Sequence, residues 1–237
     1  MQTALYLIPV TLEEAPLSDV IPMHTVELLK IIKHYIVESR RSAVRFLVKV
    51  DTKIDIDSLT FFELNEHTDL SSIEDFLAPL AQGKPMGVLS EAGCPAVADP
   101  GSAIVALAHR RKFKVVPLAG PSSIIMSLMA SGFNGQNFAF NGYLPPKPVE
   151  RAAALRTLEQ KAIRNGQTQI FIETPYRNSK MLETILQTCK PETQLCIAAG
   201  LTGKDELIRT KSIAEWKKLP PQEREIGKIP AVFLLFR

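Results

Sequence analysis

Cysteine is scarce in this chain: Cys94, Cys189 and Cys196 are the only three in 237 residues. Their odd number and wide separation argue against a disulfide framework, and no pair has the spacing of a zinc site. The four histidines, His24, His34, His67 and His109, form neither an HxxxH nor an HxH pattern, so no metal site is expected. Long apolar runs are missing too, none approaching the ~20 residues needed to cross a bilayer. The opening Met1-Gln2-Thr3-Ala4-Leu5-Tyr6-Leu7-Ile8-Pro9 has no basic stretch and no cleavage site, so it reads as a first strand and not a signal peptide. Together with reduced thiols this predicts a cytoplasmic protein. A charge excess is also lacking: 28 basic residues against 25 acidic leave +3, too little to imply a nucleic-acid partner by itself. Walker and GxGxxG signatures are absent, and no repeat of fixed period is found.

What is present suits a globular fold. Hydrophobic residues make up 46% and charged residues 22%, ordinary values for a packed domain. In the first half, strand-like runs at Ala4 to Ile8, His34 to Glu38, Thr60 to Leu64, Met86 to Ser90 and Lys114 to Leu118 alternate with helical runs. The helices are expected over Thr25 to Lys33, Ser42 to Val48, Ser72 to Gln82 and Ser102 to Arg111, the third opened by the capping pattern Ser71-Ser72-Ile73-Glu74. Such alternation predicts an α/β domain with a largely parallel sheet covered on both faces. The second half reads as strands Asn137 to Tyr143, Gln169 to Glu173, Gln194 to Ala199, Glu206 to Lys211 and Ala231 to Phe236. Helices Val149 to Arg164, Asn178 to Cys189 and Ser212 to Leu219 intervene, and strands there follow strands often enough to predict a mixed sheet. A further helix, capped by Ser122 or Ser123, stops at Gly132. The expected division is 1–117 and 118–237, with Pro117 to Ser123 as the hinge. Pro145-Pro146-Lys147-Pro148 is stiff and reads equally as a rim of a site or as a turn before a helix.

Two loops stand out. Ser90-Glu91-Ala92-Gly93-Cys94-Pro95-Ala96-Val97-Ala98-Asp99-Pro100-Gly101 follows the fourth strand, and Ala119-Gly120-Pro121-Ser122-Ser123 follows the fifth. In a parallel sheet such loops gather at the carboxyl ends of the strands, where ligands bind. Gly, Ala, Ser and Pro let main-chain groups approach a ligand closely.

These segments, with Ser131-Gly132-Phe133, Gly142-Tyr143-Leu144-Pro145, Phe171-Ile172-Glu173-Thr174-Pro175-Tyr176-Arg177 and Leu201-Thr202, occur in an order that resembles the tetrapyrrole methylase superfamily of S-adenosylmethionine enzymes. The branch most resembled methylates a ribose 2′-hydroxyl of small-subunit ribosomal RNA. The resemblance implies two α/β domains with S-adenosylmethionine in the cleft between them, a ribosomal RNA substrate, a homodimer and no metal. It implies cofactor contacts at Ile8, Pro9 and Val10, at Glu91, Ala92, Gly93 and Cys94, and at Ser122 and Ser123. The second domain adds Ile172, Glu173, Leu201 and Ala231. Read from the residues alone, N-capping is the favoured reading of Ser122 and Ser123, and core packing that of Ile8, Ile172 and Ala231.

The chain departs from that branch in places. Ile8-Pro9-Val10-Thr11-Leu12-Glu13 stands where the branch has a glycine-containing loop, and Glu38-Ser39-Arg40-Arg41-Ser42 keeps an acid and an arginine but lacks the aspartate. Glu91 replaces an aspartate, Cys94 a threonine and Tyr176 a histidine. Removing the proton of a ribose hydroxyl calls for a positioned acid/base or a cation. Glu38, Arg40 and Arg177 are the catalytic candidates, and Glu91, Asp99 and Glu173 also fall at predicted loop ends. Arg41, Arg45 and Lys49 recur every fourth residue and so share a helix face, which suits RNA phosphates or plain solvent. Two further readings stay open: a methylase of a tetrapyrrole or other small molecule, and a descendant that binds without transferring methyl groups.

Overall fold

A computed structural model describes residues 1–65, 67–69 and 72–237. The chain forms two compact units, Met1–Ser122 and Ser123–Arg237, where a division after residue 117 was expected. Residues 118–122 pack with the first unit because Leu118 donates its N–H to Leu7 and Cys94 Sγ reaches the Pro121 carbonyl.

The first unit contains β1 (Leu5–Ile8), α1 (Leu17–Val20), α2 (Met23–Ile31), β2 (His34–Val37), α3 (Arg40–Val50), β3 (Thr60–Glu63), α4 (Ala78–Ala81), β4 (Met86–Leu89), α5 (Gly101–Arg110) and β5 (Val115–Pro117). Its five strands pair in the order β3-β2-β4-β1-β5, every pairing parallel. Side chains alternate between the faces, as the period of two demands. Tyr6, Ile8, Tyr35 and Val37 pack on one side with Leu29 and Leu47, whereas Leu5, Ile36, Met86 and Val88 pack on the other with Leu77 and Ile104. Burial on both faces explains why these strands read as continuous apolar runs.

The second unit contains α6 (Ser123–Ser131), β6 (Phe138–Tyr143), α7 (Pro148–Asn165), β7 (Thr168–Glu173), α8 (Asn178–Thr188), β8 (Gln194–Ala199), β9 (Leu207–Ser212), α9 (Ile213–Lys218) and β10 (Ala231–Phe236). The sheet order is β6-β7-β10-β8-β9, with β6 and β7 parallel and the remaining pairs antiparallel. Phe171, Phe233 and Leu235 face a core built with α7, α8 and Trp216 of α9. Ile170, Val232 and Leu234 face Leu128 of α6. The mixed sheet is thus the one the strand-after-strand pattern predicts.

Local differences have local causes. The helix expected over Ser72 to Gln82 is a 3-10 segment, Ser72–Leu77, followed by the short α4. Pro79 lacks an N–H and its ring crowds the carbonyl four residues earlier, so one continuous helix cannot form. The capping pattern assigned there lies outside the described residues at Ser71. Helix α3 starts at Arg40, not Ser42, because the Ser39 hydroxyl accepts from the Ser42 N–H at 3.4 Å and serves as the cap. The Ser212–Glu215 capping box at α9 forms in both directions. Gly132 and Gly166 end α6 and α7 at left-handed φ values of 77° and 58°. Pro148 stands at the first turn of α7, and Arg151 Nη1 holds the Pro146 carbonyl at 3.1 Å, so the proline run is a helix entry. Among the described residues no helix is long and apolar enough to cross a membrane.

Candidate functional site

In the first unit the parallel pairing brings the carboxyl ends of β1, β2, β4 and β5 to one edge of the sheet. The loops leaving β1, β4 and β5 interlock there. Val10 N–H donates to the Gly93 carbonyl at 2.9 Å in an isolated antiparallel bridge, and Ser90 Oγ donates to the same oxygen at 2.9 Å. Cys94 Sγ lies 3.4 Å from the Pro121 carbonyl. A Cβ on Gly120 would stand 2.4 Å from Pro9 Cβ, closer than any side chain tolerates, so glycine is what lets these backbones meet. Ile8, Pro9, Val10 and Glu91 to Cys94 are therefore assembled with the 119–121 segment, as expected of strand-end loops. Ile8 and Val10 are buried core residues. Ser122 closes this unit, and Ser123 opens α6 in the next.

The β4 loop carries strain. Ala96 and Ala98 have φ values of 65° and 61°, a left-handed conformation unfavourable to an L-residue by roughly 1–2 kcal/mol each. Asp99 Oδ1 holds the turn by accepting from Ala96 N–H and Gly101 N–H, both at 2.8 Å. Glu38, directly after β2, faces this loop. Burial is the main reason its carboxyl is pushed above the ordinary glutamate range, the negative Asp99 adds to the rise, and the Glu91 amide opposes it. Asp99 is also raised by burial, against the two amides it accepts from. Glu38 is thus a stronger base than an exposed glutamate. Arg40, at the first position of α3, is exposed with its guanidinium 5.7 Å from the centre of the Phe61 ring. Arg41, Arg45 and Lys49 are exposed along α3.

In the second unit β10 runs against its neighbours, so Ala231 pairs with Glu173 on one side and Ala199 on the other. Gly200 N–H donates to the Pro230 carbonyl at 2.9 Å. Ile172, Glu173, Leu201 and Ala231 therefore gather at one end of the sheet, with Leu201 and Ala231 buried. Glu173 is the polar centre of the group. Its Oε1 accepts from Thr174 N–H at 2.7 Å and from Arg177 Nε at 2.8 Å, with Arg177 Nη2 at 2.6 Å. Its Oε2 is buried with no hydrogen-bond partner among the described residues. A carboxylate oxygen in that state is strongly penalised unless a donor reaches it. Arg177 is committed to this carboxylate, which makes it the brace of the Pro175–Arg177 turn.

Asn178 and Thr202 carried no catalytic signal in the sequence. Asn178 is fully buried, its Nδ2 tying the carbonyls of Gly227 and Ile229 at 3.2 and 2.8 Å, and its Oδ1 has no partner among the described residues. Thr202 takes φ 70° and donates its N–H to Glu206, and its Oγ1 is unpaired among the same residues. Asn178 starts α8 and reads as a cap from sequence, and Thr202 lies in the turn between β8 and β9, so only the fold shows these environments. S-adenosylmethionine offers amino and hydroxyl donors, which the unpaired Glu173 Oε2 and Asn178 Oδ1 are suited to accept. Its apolar parts suit Ile172, Leu201 and Ala231 beside them. Among the described residues no cluster of His, Cys, Asp and Glu could hold a metal ion.

Comparison with known proteins places this architecture. The chain is 32% identical over 154 residues to ribosomal RNA small subunit methyltransferase I of Vibrio cholerae serotype O1, covering 65% of this chain and 52% of that protein. With the enzyme of the same name from Neisseria meningitidis serogroup B it shares 32% over 152 residues, 64% of this chain and 50% of the other. The chain thus spans about half the length of the curated relatives it matches. A crystal structure of the methyltransferase CobJ superposes with a TM-score of 0.60 at 17% identity, covering 92% of this chain and 89% of that one, which is likeness of fold. The profile described as Tetrapyrrole (Corrin/Porphyrin) Methylases matches residues 18–217. A match of that extent, on a parallel sheet followed by a mixed one, means that this chain belongs to the tetrapyrrole methylase family.

Proposed function

We propose that this protein transfers a methyl group from S-adenosylmethionine to a ribose 2′-hydroxyl of small-subunit ribosomal RNA. The observation that carries the cofactor half is the unpaired, buried Glu173 Oε2 beside Ala231 and Ile172, in a family of methylases. The RNA half is supported by the two named relatives and by the exposed basic face of α3. Bound S-adenosylmethionine supplies an electrophilic methyl group on a sulfonium. The chain's own part is positioning, desolvation and proton removal.

Cofactor contacts are assigned to main-chain groups of Ile8 to Val10 and Glu91 to Cys94, to Ser122 and Ser123, and to Ile172, Glu173, Leu201 and Ala231. Glu38 accepts the proton of the ribose hydroxyl as the oxygen gains its methyl group, and burial suits it to that task. Arg40, held over Phe61, meets the substrate's negative charge. Arg177 keeps Glu173 and its turn in place.

The decisive experiment maps 2′-O-methylation across the small-subunit RNA of a strain lacking this protein. One ribose methyl group should be missing, restored by the intact protein and not by Glu38→Gln or Arg40→Ala. If every ribose methyl group persists, the RNA reading is wrong. Calorimetry with S-adenosylmethionine then separates a small-molecule methylase, which binds it, from a chain that has lost the cofactor.

A further inference from the structure

Tyr176 is 81% exposed on a turn that the rest of the unit holds rigidly. Pro175 fixes the turn's entry, Arg177 N–H returns to the Thr174 carbonyl at 2.9 Å, and the Arg177 guanidinium is clamped on buried Glu173. The Lys228 ammonium lies 6.0 Å from the centre of the Tyr176 ring, a cation over an aromatic face. Tyr143, 56% exposed, ends β6 opposite Ile172 of β7, so both tyrosines stand at the same end of one sheet. An ion pair to buried Glu173 that braces a turn whose tip is an exposed aromatic ring favours presenting that ring. Two exposed rings at one end of the sheet, one of them beside Lys228, match a single-stranded nucleic acid, whose bases offer flat faces and whose phosphates offer charge.

We propose that Tyr176 and Tyr143 form a platform on which bases of single-stranded RNA stack, with Lys228 contacting the backbone. This deepens the RNA reading above and rests on it. Stacking is insensitive to salt, whereas a phosphate contact is not.

The test titrates the full chain with a short single-stranded RNA of small-subunit ribosomal sequence carrying 2-aminopurine, whose fluorescence falls on stacking. Tyr176→Phe keeps the affinity within about twofold, because the ring remains. Tyr176→Ala weakens binding about 5- to 150-fold, the range for one stacked base, and relieves the quenching while the salt slope stays as it was. Tyr143→Ala acts in the same direction, and Lys228→Gln lowers the slope by about 0.7. Parental affinity and quenching in Tyr176→Ala overturn the platform and leave the RNA reading standing. So does a Phe variant as weak as the Ala variant, since the hydroxyl would then be the contact. A parent that binds no RNA removes both.

Discussion

At the scale of single residues, Glu38 joins burial to proton chemistry. Its carboxyl is raised by desolvation first and by Asp99 second, so the folded chain holds this proton more tightly than the unfolded chain does. The stability it contributes is complete below the ordinary glutamate range and is lost as pH rises through the raised value. Glu38→Gln, which has no charge to bury, should therefore melt higher than the parent at pH 7 and lose that advantage at about pH 3, below the unfolded value of ~4.3. Methyl transfer should fall by about 10²- to 10⁴-fold in the same variant. Thermal unfolding at the two pH values checks the first part, and an equal difference at both would remove the argument. Glu38 was legible as a candidate because it follows an apolar run. Its pairing with Asp99 was not, since the two are far apart in sequence and meet only through the parallel register of β2 and β4.

At the scale of elements, the strand-end loops are where sequence and fold meet. The Ala119-Gly120-Pro121 segment read as a loop that approaches a ligand, and it also approaches Pro9 of the β1 loop. Gly120→Ala should force these loops apart. It should destabilise the chain by about 1–3 kcal/mol, lowering the melting temperature by roughly 2–4 °C per kcal/mol and weakening S-adenosylmethionine binding in parallel. Calorimetry measures both, and an unchanged melting temperature would mean that the two loops do not touch in solution. The helices show the same division of information. The Ser212–Glu215 box carries its own cap in four residues and was readable. The short α1 between Pro16 and Pro22 and the 3-10 turn Ile56–Ser58 carry no periodic signal and were not.

At the scale of the whole molecule, the charge balance of +3 supplies only a weak overall attraction to RNA. Any electrostatic grip must come from local faces, and α3 offers one in Arg41, Arg45 and Lys49, all exposed. Replacing the three by glutamine should lower the log-log salt slope of RNA binding by roughly 2, at ~0.7 for each phosphate of a single strand that is no longer neutralised. An identical slope would make this a solvated helix face. Each unit encloses its own sheet with apolar clusters on both faces.

Sequence by itself determined the parallel first sheet, the mixed second one and the loops that matter, because period-two and helical patterns and Gly/Pro punctuation are local signals. It also carried the family, through the order of its short segments. Tertiary structure alone decided that Gly93 bonds Val10, that Glu173 binds Arg177 through one oxygen and leaves the other without a partner among the described residues, and that Tyr143 and Tyr176 stand at the same end of one sheet. The reason is physical: hydrogen-bond satisfaction and burial belong to groups brought together by strand order and register, and neither can be read from spacing along the chain.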